Sequence, residues 1–317
     1  MSSLILLRHL RVENANTVAG LTWGFPAITH FLGYTHALSR RLQQSHGLTL
    51  DKCAVICHQQ QHHAHASGGR DAVFSLTRNP LTREAKTAAF NEEGRMHMTV
   101  SLLIECQGAI ANGREGAKAL EAHLQTLCVR QRLAGGTVIS MAEARVIGYP
   151  HEQKSLRRVL YRLLPGFALL DRSACLSEHY QTLKQQNPQA EMIDAWLDFA
   201  VVKMSALAVD GDASTSTKTP AEWRYVAKPQ PGYLVPIQTG WQSVSPLFPA
   251  GEVEKSRDPA TPFRFVEAIY GIGEWRSLHR ITDLNTLLWC HDYQDGLYRC
   301  CSVLSAPTDT YEFIDEE

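Results

Sequence analysis

Apolar positions over the first 150 residues follow two periods in turn. Leu4 to Val12 is an apolar run of strand length, interrupted by Arg8 and His9. Ile28, Phe31, Leu32, Thr35, Leu38 and Leu42 then recur at helical spacing. They predict a helix over 28–44, with Arg40 and Arg41 near its C-terminal end, where cations suit the helix dipole. Cys53 to His58 reads as a second strand. Met96, Met98, Val100, Leu102 and Ile104 alternate and predict a third over 96–106. Ala117, Leu120, Leu124, Leu127 and Cys128 share one helical face, which predicts a helix over 115–133 stopped by Gly135 and Gly136. A fourth strand follows at 137–141. The order β-α-β-β-α-β is the ferredoxin-like split arrangement used by many RNA-binding domains, and by unrelated functions too.

The stretch between the second and third strands, about 59–95, is far longer than a hairpin needs and reads as a projecting thumb. Beyond residue 150 the pattern changes. Lys154 to Leu164 predicts a basic amphipathic helix carrying Arg157, Arg158 and Arg162, ended by Pro165 and Gly166. Acidic helices follow over 177–207, and the Ser/Thr/Asp-rich stretch 210–219 reads as a linker. From Trp223 to Trp289 the chain is Pro- and Gly-rich with aromatics, and it ends in an acidic tail. The expected architecture is α+β. A modified RNA-recognition (ferredoxin-like) domain with a thumb occupies 1–150, a helical segment 151–210, and an irregular C-terminal region, 220–317, packs on the first domain.

Charge alters this picture more than composition does. The net charge of −1 conceals a balance of +8 over residues 1–170 and −9 over 171–317. Of the 31 cations, 22 are Arg, whose planar fork pairs with phosphate and stacks on bases. The excess favours an anionic polymer, although ordinary surface ion pairs also use Arg. Neither a secretory signal nor an apolar run long enough to cross a bilayer is apparent. The eight cysteines, several inside apolar stretches, read as reduced core thiols. A cytoplasmic protein without membrane contact is expected.

No Walker-type phosphate loop, dinucleotide fingerprint, G-x-S-x-G or H-E-x-x-H occurs in the sequence. Cys53, Cys57, His58, His62, His63 and His65 are of metal-binding type, but two cysteines four apart along a strand are too far apart to share one ion. A solvated His/Gln-rich loop is the competing reading, and no metal or cofactor is expected. His9, His36, His58 and His97 lie in the basic half, so a metal-independent ribonuclease is the alternative enzyme reading. The strands 4–12 and 96–106 lack the aromatics on which an RNA-recognition sheet stacks bases. RNA would therefore be held by loops: the Trp23–Pro26 stretch, the Gly135–Gly136 turn, which admits a close backbone approach, and the thumb.

Several strings occur together in order. They are Arg11–Asn16 (RVENAN), Leu21–Pro26 (LTWGFP), Leu76–Leu81 (LTRNPL), Arg132–Gly136 (RLAGG), Leu163–Leu169 (LLPGFAL) and Thr261–Glu267 (TPFRFVE). In them the chain resembles, from about residue 4 to about 299, the second subunit of the type I-F CRISPR surveillance (Csy) complex. The resemblance implies a non-catalytic subunit that binds the 5′ handle of CRISPR RNA. It also implies pairing with the large subunit, contact with the adjacent backbone subunit, and an approach to target DNA only through the assembled complex; an endoribonuclease that processes CRISPR repeat RNA is the alternative. Carried over to this chain, it implies that Asn14 and Asn16 hydrogen-bond handle bases, with an Asx-turn as the other reading. Trp23 and Phe25 would stack a base or pack in the core, and Arg78 and Asn79 would brace RNA from the thumb. Gly135 and Gly136 would admit a phosphate beside Arg132. Arg157, Arg158 and Arg264 would meet RNA or a partner. The acidic half is expected to face a basic protein subunit or solvent.

Overall fold

The computed structural model describes residues 3–66, 72–78, 81–82, 84–88, 90–208, 221–256 and 258–305. Five α-helices lie among them. The main sheet has ten strands, all paired antiparallel: β1 (Ser3–Asn16), β2 (Thr49–His62), β3 (Arg95–Gln107), β4 (Arg132–Leu133), β5 (Gly136–Gly148), β6 (Phe167–Asp171), β7 (Leu234–Ser243), β8 (Val266–Ser277), β9 (Trp289–Gln294) and β10 (Leu297–Ser302). Their order across the sheet is β4-β5-β1-β3-β2-β6-β8-β7-β10-β9, and a further bridge, Trp289 to Cys53, returns β9 to β2. The pairings from β2 through β6, β8, β7, β10 and β9 thus close a ring, with β2 shared between the ring and the β4-β5-β1-β3 side of the sheet.

Helix α1 (Ile28–His46) begins where its apolar spacing does and ends at Gly47, whose φ of 65° lets its N–H turn back onto the carbonyls of Leu42 and Gln43. Helix α2 (Gly113–Val129) lies beside it on the same sheet face. Their apolar stripes cover Ile5, Leu7, Leu10, Val55, Val100, Leu102 and Ile104 in the largest core. The other sheet face carries Leu4, Leu6, Ala54, Ile56 and Leu103. It is covered by Leu156, Val159 and Leu160 of α3 (Gln153–Tyr161), and by Leu278 to Leu288. A third, smaller core packs α4 (Ser173–Gln186) and α5 (Met192–Ala200) onto Leu234 and Ile272.

Four expectations are corrected. The second helix stops at Val129, not 133, because Arg132 and Leu133 pair back onto Thr137 and Gly136 as strand β4. Gly135 and Gly136 therefore serve a hairpin turn. Strands β2 and β3 stay paired as far as His62 and Met96, so the inserted stretch is 63–94 and its described part holds two short ladders, 64–66 with 72–74 and 76–78 with 90–92. The helical segment is interrupted by β6. Lastly, the region read as irregular contributes four strands to the sheet. Its glycines, Gly240, Gly271 and Gly273, sit where other chain atoms approach too closely for a side chain, which hides the strand pattern from a hydropathy reading. The linker 210–219 and most of the acidic tail lie outside the described residues.

Candidate nucleic-acid interface

Strand β1 carries two register shifts against β3, one between Leu7 and Leu10 and one between Val12 and Ala15. His9 (φ 49°) and Asn14 (φ 56°) occupy them in left-handed backbone, a conformation His and Asn adopt more readily than most residues. At the second shift the Asn14 N–H donates to His97 Nδ1 at 3.3 Å, and its carbonyl accepts from Arg95 Nη1 at 3.5 Å. The Asn16 side chain closes an Asx-turn onto Val18, with its Oδ1 accepting at 3.2 Å and its Nδ2 donating at 2.6 Å. Its backbone N–H donates to the Ala134 carbonyl at 2.8 Å. That bond docks the end of β1 on the β4–β5 turn.

The turn is built from Ala134 (φ 51°) and Gly135 (φ 74°), a pair of positive φ angles that matches strand twist in a two-residue hairpin. At Gly136 an added Cβ would sit 2.6 Å from the Glu13 carbonyl oxygen and 2.7 Å from the Ala15 nitrogen, so the glycine is required for the approach of β1. Gly135 is open: the nearest atom to an added Cβ is Arg95 Nη1, 3.9 Å away. Arg95 is itself paired with Glu93 at 2.6 Å, while Arg132 is exposed at the base of the turn. Backbone N–H groups in a glycine turn beside a guanidinium suit an anion.

Trp23 and Phe25 lie on a loop moored at both ends. The Gly24 N–H donates to the Thr17 carbonyl at 2.9 Å and the Leu21 N–H to the Tyr270 hydroxyl at 2.8 Å. His62 donates from Nε2 to the Gly24 carbonyl. Phe25 stacks on Phe31 with ring centres 5.6 Å apart and meets Trp275 edge-on at 4.8 Å. Trp23 packs edge-on against His62 and Phe74. Between this loop, β2 and the β6–β8 strands opens a cavity of about 580 Å³. Rings of Trp23, Phe25, Phe167, Tyr233 and Trp275 wall it, with the amides of Gln59, Gln60 and Gln238 beside them.

The remaining expected residues fall elsewhere. Arg157 and Arg158 are exposed on α3, whose buried side covers the second core. Arg264 donates from Nη1 to Ser243 Oγ and to the Tyr293 hydroxyl, both at 3.2 Å, among the strands of the ring. The Arg78 backbone pairs with Phe90 in the inserted stretch, and Asn79 lies outside the described residues. Sequence reasoning missed Arg95, Gln59, Gln60 and Tyr233, and took His97 only as one of four histidines in the basic half. They are scattered along the chain in no motif, and only the register of β1 against β3 and the closing of the ring bring them to the site.

His9 and His58 do meet, with ring centres 4.3 Å apart. They sit in facing bulges on either side of Ser101, whose buried hydroxyl accepts from the His9 N–H at 2.9 Å. His58 Nδ1 lies 2.7 Å from the Pro165 carbonyl, which only accepts, so this nitrogen carries the proton and Nε2 accepts from the Ser101 hydroxyl at 2.7 Å. Burial, opposed by the Pro165 hydrogen bond, lowers the His58 pKa, and burial followed by repulsion from His58 and Arg8 lowers that of His9. With both nitrogens engaged, His58 is not placed to take a proton from an RNA hydroxyl.

All eight cysteines are free, and burial pushes the Cys53 and Cys57 thiols up to about 12, away from the thiolate a metal would need. Among the described residues no group of three or more His, Cys, Asp or Glu is placed to hold a metal ion. No helix among them is long and apolar enough to cross a membrane.

Two comparisons bear on this geometry. The family model for CRISPR-associated protein Cas_Csy2 matches residues 5–300. The CRISPR-associated protein Csy2 of Pseudomonas aeruginosa (strain UCBPP-PA14) is 40% identical over 312 residues, covering 94% of this chain and 94% of that protein. The match spans both the bulged β1 corner and the ring-walled cavity, and on that extent the chain belongs to the Csy2 family of type I-F CRISPR-associated proteins.

Proposed function

We propose that this chain is a non-catalytic subunit that holds the 5′ handle of CRISPR RNA, pairs with the large subunit, abuts the adjacent backbone subunit, and meets target DNA only within the assembled complex. The observation that carries the reading is the corner where Asn14, Arg95 and the open Gly135 backbone converge, with Arg132 beside them. Its charge for a phosphate is the exposed Arg132 guanidinium beside the open turn backbone, since Arg95 is already paired with Glu93 and braces the Asn14 carbonyl, and it holds no poised nucleophile or base. Asn14 is exposed at this corner. Asn16 works through its Asx-turn, positioning the loop that carries Trp23 and Phe25.

The stretch 63–94, with Arg78 and Asn79, acts as a thumb on a modified RNA-recognition fold. The exposed Arg157 and Arg158 face a phosphate or a subunit, and Arg264 serves the C-terminal strands. The particle is cytoplasmic. Nuclease protection of complexes assembled with and without this chain tests the role: the first nucleotides of the guide are protected only in its presence. Equal protection in both would overturn it. An endoribonuclease is the competing reading, and metal-free cleavage of repeat RNA abolished by His9→Ala would favour it instead.

A further inference from the structure

We propose that the cavity between Phe25 and Trp275 receives a single unstacked base of the RNA, with its sugar and phosphate left outside; the proposal rests on the RNA-holding role above. Its volume, about 580 Å³, lies in the range of small-molecule pockets and exceeds what one base requires. No Asp, Glu, Lys or Arg lines it. His58 on its wall has both ring nitrogens engaged, and burial, opposed by the Pro165 hydrogen bond, lowers its pKa; burial likewise keeps the Cys57 thiol protonated. A phosphate or a carboxylate would find no counter-charge inside. A neutral planar group would find ring faces.

The mouth is rimmed by exposed aromatics, Trp23 at 59%, Phe167 at 55% and Tyr233 at 71%. Exposed rings converging on one opening are the groups on which single-stranded bases stack. Gln59, Gln60 and Gln238 supply the complement. Each carboxamide both donates and accepts, as a base edge does. Gln238 donates from Nε2 to the Gly240 carbonyl at 3.3 Å, which orients that amide with its oxygen available as an acceptor. The cavity is also held open by covalently distant parts: the Leu21 N–H on Tyr270, His62 on the Gly24 carbonyl, and the Trp289 Nε1–H on the Leu169 carbonyl at 2.8 Å. An apolar ligand without polar edges would leave the amides unused.

The test uses the full chain and a synthetic guide RNA bearing the repeat-derived 5′ handle of the same locus. A set of such RNAs replaces one handle nucleotide at a time by an abasic ribonucleotide, which keeps the phosphates and removes the base. One position is expected to lose about tenfold in affinity, in the range one stacked base contributes, and 2-aminopurine at that position should be quenched on binding. In Tyr233→Ala, and separately in Gln60→Leu, the same abasic substitution should cost little, because the receptor for the base is already impaired. Both positions are at the rim, so folding is preserved. Binding of the intact handle with every abasic position within twofold of it overturns the cavity proposal and leaves the handle role standing. Failure of the intact handle to bind overturns both. Loss of a partner protein in Tyr233→Ala, with the abasic penalty unchanged, also overturns it and assigns the cavity to a protein side chain.

Discussion

The corner of Asn14, Arg95, Arg132 and the Ala134–Gly135 turn is polar, charged and built from left-handed backbone, whereas the cavity of Phe25 and Trp275 has no charged side chain and is walled by rings. Both sit where the ends of β1, β2 and β3 meet the rest of the sheet, yet they suit opposite parts of a nucleotide. A corner of N–H groups and guanidinium charge interacts with phosphate, and that interaction weakens with salt. A ring-lined cavity interacts with bases, and it should be nearly indifferent to salt. The contrast separates gripping a strand from recognising a residue on it.

The most severe way to break the comparison is Gly136→Val. Its Cβ would meet backbone atoms of Glu13 and Ala15 that have nowhere to go, and a loss of about 3 kcal/mol of stability is expected in urea unfolding. Gly24→Ala should cost only about 1 kcal/mol, because its φ of 122° is strained for alanine but nothing lies within 4 Å of the added carbon. Trp275→Ala, which removes the edge contact with Phe25, should cost about 2 kcal/mol and should weaken binding at high and low salt alike. Arg132→Ala should lower handle affinity by about 1 kcal/mol, or roughly fivefold, and flatten the log–log salt slope by about 1. An unchanged salt slope would remove Arg132 from the interface.

The smallest expected effect is on pH. The His9 and His58 pKa values lie below the ordinary histidine value, so the unfolded chain binds more protons than the folded one in that window. The stability of these neutral rings is fully present above about pH 6.5 and declines as the pH falls toward the depressed values. His58→Asn keeps a donor for Pro165 and an acceptor for Ser101 without titrating. It should flatten the acid side of a melting-temperature profile, and an unchanged profile would contradict the lowered His58 pKa.

Where period and length agreed, the fold was legible in the chain. Helix α1 and the alternation of Met96 to Ile104 were readable because one face of each meets a single large core. Gly135 and Gly136 were misread because a helix stop and a hairpin turn use the same residue type, and only pairing of Leu133 with Gly136 separates them. The C-terminal strands escaped because β7 and β8 contact other elements on both faces and carry glycines where those elements press closest. At the site, Trp23 and Phe25 were visible as a turn-borne aromatic pair. Tyr233, Phe167 and Gln60 were invisible as a group, since their meeting depends on the pairing of β6 with β2 and with β8 and on the Trp275 N–H bond to the Tyr233 carbonyl.

Direct titration of the full chain against a 5′-labelled guide RNA, with a scrambled-handle RNA as control and recovery of the RNA afterwards, addresses the central claim. The account predicts saturable binding to the native handle, at least tenfold tighter than to the scrambled one, with the RNA recovered at full length. Equal affinity for both RNAs, or turnover of the label into shorter fragments in the absence of metal, would contradict it.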